Sequence, residues 1–114
     1  MNQKIKFENY GTQQNWVNGG YHPSSSENSI SVISPYFDME IATVPESNVA
    51  DLDHAVQKAK IAFPAWSSLN VRDRAEVMFN LKSIMGKNLD DLAELIALDN
   101  GKTIADAKGS ILRG

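Results

Sequence analysis

His22 and His54 are the only imidazoles in the chain, and an imidazole is the usual group for moving a proton near neutral pH or for holding a metal. His22 precedes Pro23 in a polar turn, and His54 lies off the apolar stripe of its helix. Neither has a second ligand at metal-binding spacing, so both read as solvated side chains. Paired carboxylates stand at Asp51/Asp53 and Asp90/Asp91. Acid–base work would need apolar surroundings to raise one of each pair. Both pairs instead fall in first helical turns, where the helix dipole favours negative charge, so capping accounts for them.

Asn100-Gly101-Lys102-Thr103 has the residue types that end a phosphate-binding loop. That loop needs a strand before its glycines, whereas a helical pattern precedes them here. A helix-ending glycine followed by a helix-starting threonine is the better account. Cysteine is absent, which removes disulfides, a thiolate nucleophile and thiolate-rich metal sites together. Phe63, Trp66 and Phe79 are types on which nucleic-acid bases stack, but their helical spacing makes them core candidates. No residue is assigned a catalytic, cofactor-binding or metal-binding role.

The 114 residues suit one compact unit, with 42% hydrophobic and 22% charged residues placing the chain among ordinary globular proteins. A net charge of −3 supplies no broad positive field for phosphate backbones. Lys58, Lys60, Arg72, Arg74, Lys82 and Lys87 are spread singly on what should be solvated helix faces, so nucleic acid is not an expected partner. The opening Met1-Asn2-Gln3-Lys4-Ile5-Lys6-Phe7 has no apolar core of signal length, and no run is long enough to span a bilayer. A cytoplasmic protein without a membrane partner is the expectation.

The elements divide at about residue 47. Residues 1–47 read as strands and a hairpin, and residues 48–114 as helices. Asn18-Gly19 lies between bulky residues and favours a tight hairpin turn. Ile30–Ser34 alternates and stops at Pro35, Glu40–Pro45 repeats the pattern, and the two should pair antiparallel. Asn48 with Asp51 caps a first helix whose stripe is Leu52, Ala55, Val56, Ala59 and Phe63, ending near Phe63 because of Pro64. Asn70 with Asp73 starts a second, with Ala75, Met78, Leu81 and Met85 inward, running to about Gly86. Asn88 with Asp91 starts a third, with Leu92, Leu95 and Ile96 inward, closed by Asn100-Gly101. Thr103 with Asp106 starts a fourth, carrying Ile104, Ala107, Ile111 and Leu112, whose pattern still runs at Arg113-Gly114. The result is a helix-rich α+β unit with a small antiparallel sheet and no active site of its own.

The order of these motifs resembles the N-terminal region of aldehyde dehydrogenases over nearly the whole chain. Trp16-Val17-Asn18-Gly19-Gly20-Tyr21 resembles that family's aromatic-Ile-Asn/Asp-Gly-x-aromatic hairpin, and Glu40-Ile41-Ala42-Thr43-Val44-Pro45 its E-V-I-A-x-V-P strand. Ala62-Phe63-Pro64-Ala65-Trp66 resembles A-A-F-x-x-W. Arg72–Met78 stands at x-x-R-x-x-x-L, and Asp99–Thr103 at E-x-G-K-x. Gly101–Gly109 is most similar to the CoA-acylating methylmalonate-semialdehyde dehydrogenases. One departure is Ser34-Pro35-Tyr36-Phe37, where the family has N-P-A-T.

The resemblance implies an α+β fragment of an α/β aldehyde dehydrogenase fold, namely the N-terminal portion of its NAD-binding domain. The parent reaction it implies is aldehyde oxidation through a Cys-bound thiohemiacetal, with hydride passing to NAD and the acyl group to water or CoA. The nucleophilic Cys, the general-base Glu and the cofactor loop of that family lie downstream of the stretch matched here. This chain alone is therefore expected to be a truncated scaffold, inactive and without bound NAD. Apolar stripes meant for the rest of the subunit would be bare, so self-association is expected, through helices 2 and 4 with Met78, Met85 and Ile111 in the interface. The rival reading is a stand-alone helical interaction module.

Overall fold

The computed structural model describes residues 5–114; Met1–Lys4, which belong to the expected strand region, lie outside the described residues. The element order is β1 (Asn15–Val17), β2 (Gly20–His22), β3 (Ser29–Ser34), β4 (Met39–Pro45), α1 (Val49–Ser68), α2 (Val71–Lys87), α3 (Leu89–Asn100) and α4 (Ile104–Arg113). None of these helices is long and apolar enough to cross a membrane.

Asn18 and Gly19 both take positive φ, 53° and 77°, which matches the twist of the two strands they join, and β1 pairs antiparallel with β2. β3 and β4 pair antiparallel as expected. Ile33 pairs with Glu40 and Val32 with Ala42, which leaves Ile41 as the extra residue of a bulge. The segment before β1 lies beside β4: Tyr10 N–H donates to Ile41 O (2.7 Å) and Thr43 N–H to Gly11 O (3.0 Å). In the turn between β3 and β4, the Tyr36-Phe37 pair that departs from N-P-A-T is held by edge-on aromatic contact. The Phe37 ring meets Tyr36 at 4.8 Å and Phe7 at 5.5 Å.

The core is small and lies where α3, α4 and the β3–β4 ribbon meet, at Ile41, Ala42, Ala93, Ala97, Leu98 and Ala107. The inward face of α3 therefore differs from the expected Leu92, Leu95 and Ile96: Leu95 is exposed, and Ala93, Ala97 and Leu98 are buried. Small side chains let α4 approach closely, so the contact forms on alanines, which size-based reading of a stripe passes over. Lys108 and Asp90 close the rim of the α3–α4 contact with a 2.5 Å ion pair.

Two helix boundaries differ from expectation. α1 continues through Pro64 to Ser68. Proline removes the N–H that Lys60 O would accept, but Lys60 is exposed, so water can satisfy that carbonyl. Ser67 and Ser68 then donate their hydroxyls to Pro64 O (3.2 Å) and Ala65 O (2.9 Å). Asn88 does not cap α3 with its side chain. Its Nδ2 donates to Ile84 O at 2.8 Å, and its backbone N–H reaches Ile84 O and Met85 O, so it finishes α2.

Neither α1 nor α2 holds a buried residue. Phe63, Trp66 and Phe79, expected in a core, are 64%, 41% and 70% exposed, because among the described residues nothing covers the sides that carry them. The stripe of α4 is spent on α3 instead, with Ala107 buried and Ile104 and Ile111 half-buried. The shape follows: extents are 48 × 39 × 17 Å and the radius of gyration is 17.4 Å, against about 13 Å for a compact domain of this length. The accessible surface is 8790 Å², where a compact monomer of this size would expose about 6200 Å².

Candidate functional site

The start of α1 and the β1–β2 hairpin enclose an open cleft of about 480 Å³ lined by Asn15, His22, Ser24, Asp51 and His54, among others. Asn48 begins the helix as a capping box: its Oδ1 accepts from Asp51 N–H and its own N–H donates to Asp51 Oδ2, both at 3.1 Å. Ser24 Oγ donates to Asp51 Oδ2 at 2.6 Å, and Ser25 N–H donates to Asp51 Oδ1 at 2.9 Å. Asn15 Nδ2 donates to Ser47 Oγ at 2.9 Å, which ties the hairpin to the helix start.

The Ser24 hydroxyl bond, then the Ser25 amide, lower the Asp51 carboxyl from its ordinary 3.8 to about 2, against a smaller opposing effect of burial. A carboxylate so stabilised is a poor proton acceptor at neutral pH. Ser24 bonds Asp51 directly, with no imidazole between them, so the pair lacks the relay that activates a nucleophilic serine. The fold does bring the two histidines together, with ring centroids 6.1 Å apart. Sequence reasoning missed this, since the residues are 32 apart in the chain and nothing local signals that a hairpin folds onto a helix start. Among the described residues, no group of three or more His, Asp or Glu could hold a metal.

A second cleft of about 240 Å³ lies between the N-terminal segment and α3, lined by residues including Glu8, Tyr10, Asp91 and Glu94. Tyr10 Oη donates to Glu8 Oε2 at 3.2 Å. Burial, the Glu8 hydrogen bond and the charges of Glu8 and Glu94 all raise the Tyr10 pKa, which keeps the phenol protonated.

Asn100–Thr103 forms the junction of α3 and α4. Gly101 sits at φ 79° and its N–H donates to Ala97 O at 2.9 Å. Thr103 Oγ1 accepts from Asp106 N–H at 3.1 Å, and Lys102 Nζ donates to Ser110 Oγ at 3.3 Å. The Gly101 N–H is thus engaged in capping and the Lys102 ammonium in a bond to α4, and a helix leads into the glycine.

The profile of the aldehyde dehydrogenase family matches residues 21–114. The mitochondrial acylating methylmalonate-semialdehyde/malonate-semialdehyde dehydrogenase of Mus musculus is 35% identical over 99 residues, 87% of this chain and 18% of that protein. Malonate-semialdehyde dehydrogenase 2 of Shouchella clausii is 39% identical over 103 residues, 90% of this chain and 21% of that protein. The chain thus spans about a fifth of the length of these curated relatives. Among solved structures, a Sinorhizobium meliloti protein complexed with NAD and assigned as a methylmalonate-semialdehyde dehydrogenase superposes with a TM-score of 0.88 at 31% identity, over 95% of this chain and 22% of that one. A Sinorhizobium meliloti NAD-dependent aldehyde dehydrogenase superposes with a TM-score of 0.84 at 27% identity, over 97% and 23%. The ribbon, the hairpin and the four helices are thus an α+β piece of the aldehyde dehydrogenase fold, and the chain belongs to the aldehyde dehydrogenase family.

Proposed function

We propose that this chain is the N-terminal scaffold of an NAD-dependent aldehyde dehydrogenase of the methylmalonate-semialdehyde type, forming the first portion of its NAD-binding domain. The single observation that carries the reading is the bare α1–α2 arm. It is two long, well-capped helices with no buried residue, in a chain exposing roughly 2600 Å² more than a compact monomer of its size. Amphipathic helices are stable when their apolar faces are covered, so the arm is built to be packed upon. In the complete subunit, the groups that hold NAD and the reacting thiol belong to residues outside this stretch. Its own residues position elements and touch no reacting atom.

The 114-residue chain by itself is inactive, and its bare faces make it self-associate. A cytoplasmic site belongs to the same proposal. The test is a spectrophotometric assay of the purified chain with short aldehydes and semialdehydes, with and without CoA, and either NAD or NADP. No cofactor reduction above the blank is expected. Reduction that survives further purification overturns the scaffold reading.

A further inference from the structure

Arg74 is half-buried, although its charge suggested a fully solvated position. Val71, Val77, Met78 and Leu81 stand three, three, four and seven residues away, on the same side of α2. All four are strongly exposed, Val71 at 73%. Arg74 is therefore a guanidinium set within an apolar face. Its Nε is sealed from solvent and has no hydrogen-bond partner, and among the described residues the one ion pair is Lys108–Asp90. Covering this face with an apolar surface would strand a charge, which is costly unless the covering surface brings an acceptor.

We propose that the α2 face docks onto the remaining part of an aldehyde dehydrogenase subunit through a carboxylate that pairs with the Arg74 guanidinium. The inference rests on the scaffold reading above and adds the chemistry of the opposing surface: apolar, with one acid opposite Arg74. Two observations favour this occupant over a second copy of the chain. The surplus surface of roughly 2600 Å² far exceeds the ~800 Å² per partner of a standard dimer interface, whereas about four-fifths of each curated relative lies outside the matched stretch. A two-fold dimer through α2 would also present the same face to itself. The acids of α2, Asp73 and Glu76, lie off that face, and Asp73 already accepts from Asn70 Nδ2 at 2.7 Å. A two-fold dimer that pairs α2 with α2 would leave Arg74 unanswered.

The test grafts this chain in place of the matching first fifth of the Shouchella clausii enzyme and measures thermal melting of the chimera. One cooperative transition is expected, with Arg74→Met lowering the melting temperature, Arg74→Lys lowering it less, and millimolar guanidinium restoring most of the loss in Arg74→Ala. An acceptor that was only a neutral carbonyl would show as Arg74→Lys matching the native chimera and no guanidinium rescue, and would overturn the carboxylate. If Arg74→Met melts at or above the native chimera, the guanidinium has no acceptor and the inference fails while the scaffold reading stands. A native-sequence chimera that does not melt as one unit overturns the scaffold reading itself, and the inference with it.

Discussion

The hydroxyl of Ser34, at the end of β3, donates a 2.5 Å hydrogen bond to the carbonyl of Leu98, 64 residues later in the last turn of α3. That carbonyl has no partner within its own helix, and Ser34 is fully buried. The bond therefore joins the ribbon to the helical part by answering a backbone group that the fold seals from water.

Ser34→Ala leaves the Leu98 carbonyl buried and unpaired, at a cost of about 1–3 kcal/mol. Urea unfolding followed by circular dichroism should show the midpoint falling with the slope unchanged. An unaltered midpoint would mean that water reaches the carbonyl.

Gly101→Ala should cost more than Gly19→Ala. Both glycines have positive φ, 79° and 77°, so each alanine bears about 1–2 kcal/mol of backbone strain. At Gly101 the added methyl also meets Pro35 Cγ at 3.0 Å, while at Gly19 it meets nothing within 4 Å. Equal losses in parallel unfolding experiments would contradict the close approach of Pro35 to the α3–α4 junction.

Asp51 gives the chain an acid limb. Its carboxyl is lowered to about 2 in the fold, first by the Ser24 hydroxyl. Its stabilising effect is complete above the ordinary carboxylate pKa and is lost as pH falls through the folded value. Stability should therefore decline between about pH 4 and pH 2, and Asp51→Asn should flatten that decline. Ser24→Ala should shift the Asp51 titration upward in an NMR pH series, and no shift would remove the hydroxyl as its main cause.

Self-association of the isolated chain should run through α1 and α2. In light scattering, the weight-average mass should rise with concentration, and the double change Phe63→Lys with Leu81→Lys should suppress the rise. An interface using α4 would instead respond to Ile111→Lys, which is expected mainly to destabilise, since Ile111 is half-buried against the rest of the chain.

Local chemistry was legible. Asn48, Asn70 and Thr103 each accept from the backbone N–H three residues on, and Gly101 takes the left-handed cap, because a cap needs only its neighbours. Asn88 was misread because the same side chain serves the end of one helix or the start of the next, and the tight α2–α3 junction decides which. The direction in which α3 faces was hidden for another reason. Apolar residues lie on more than one side of it, and α4 and β3 select the side that closes around Ala93 and Ala97. The solvent exposure of Phe63, Trp66 and Phe79 could not be read at all, since an apolar stripe specifies a need for cover and says nothing of where the cover lies. Likewise, the approach of His22 to His54 depends on a hairpin docking that no spacing encodes.

The thinness of the molecule, 17 Å along its shortest axis, sets how its amides should exchange with deuterium. Among the described residues, only the junction of α3, α4 and the β3–β4 ribbon has a dry interior, so its amides should open cooperatively and exchange last, as a single unit. α1 and α2 carry equally regular hydrogen bonds, yet they have water on nearly every side and should exchange by local fraying, turn by turn. A helix can thus be complete in geometry and still lack protection, and slow exchange along α1 and α2 would be the direct sign that something had come to lie against them.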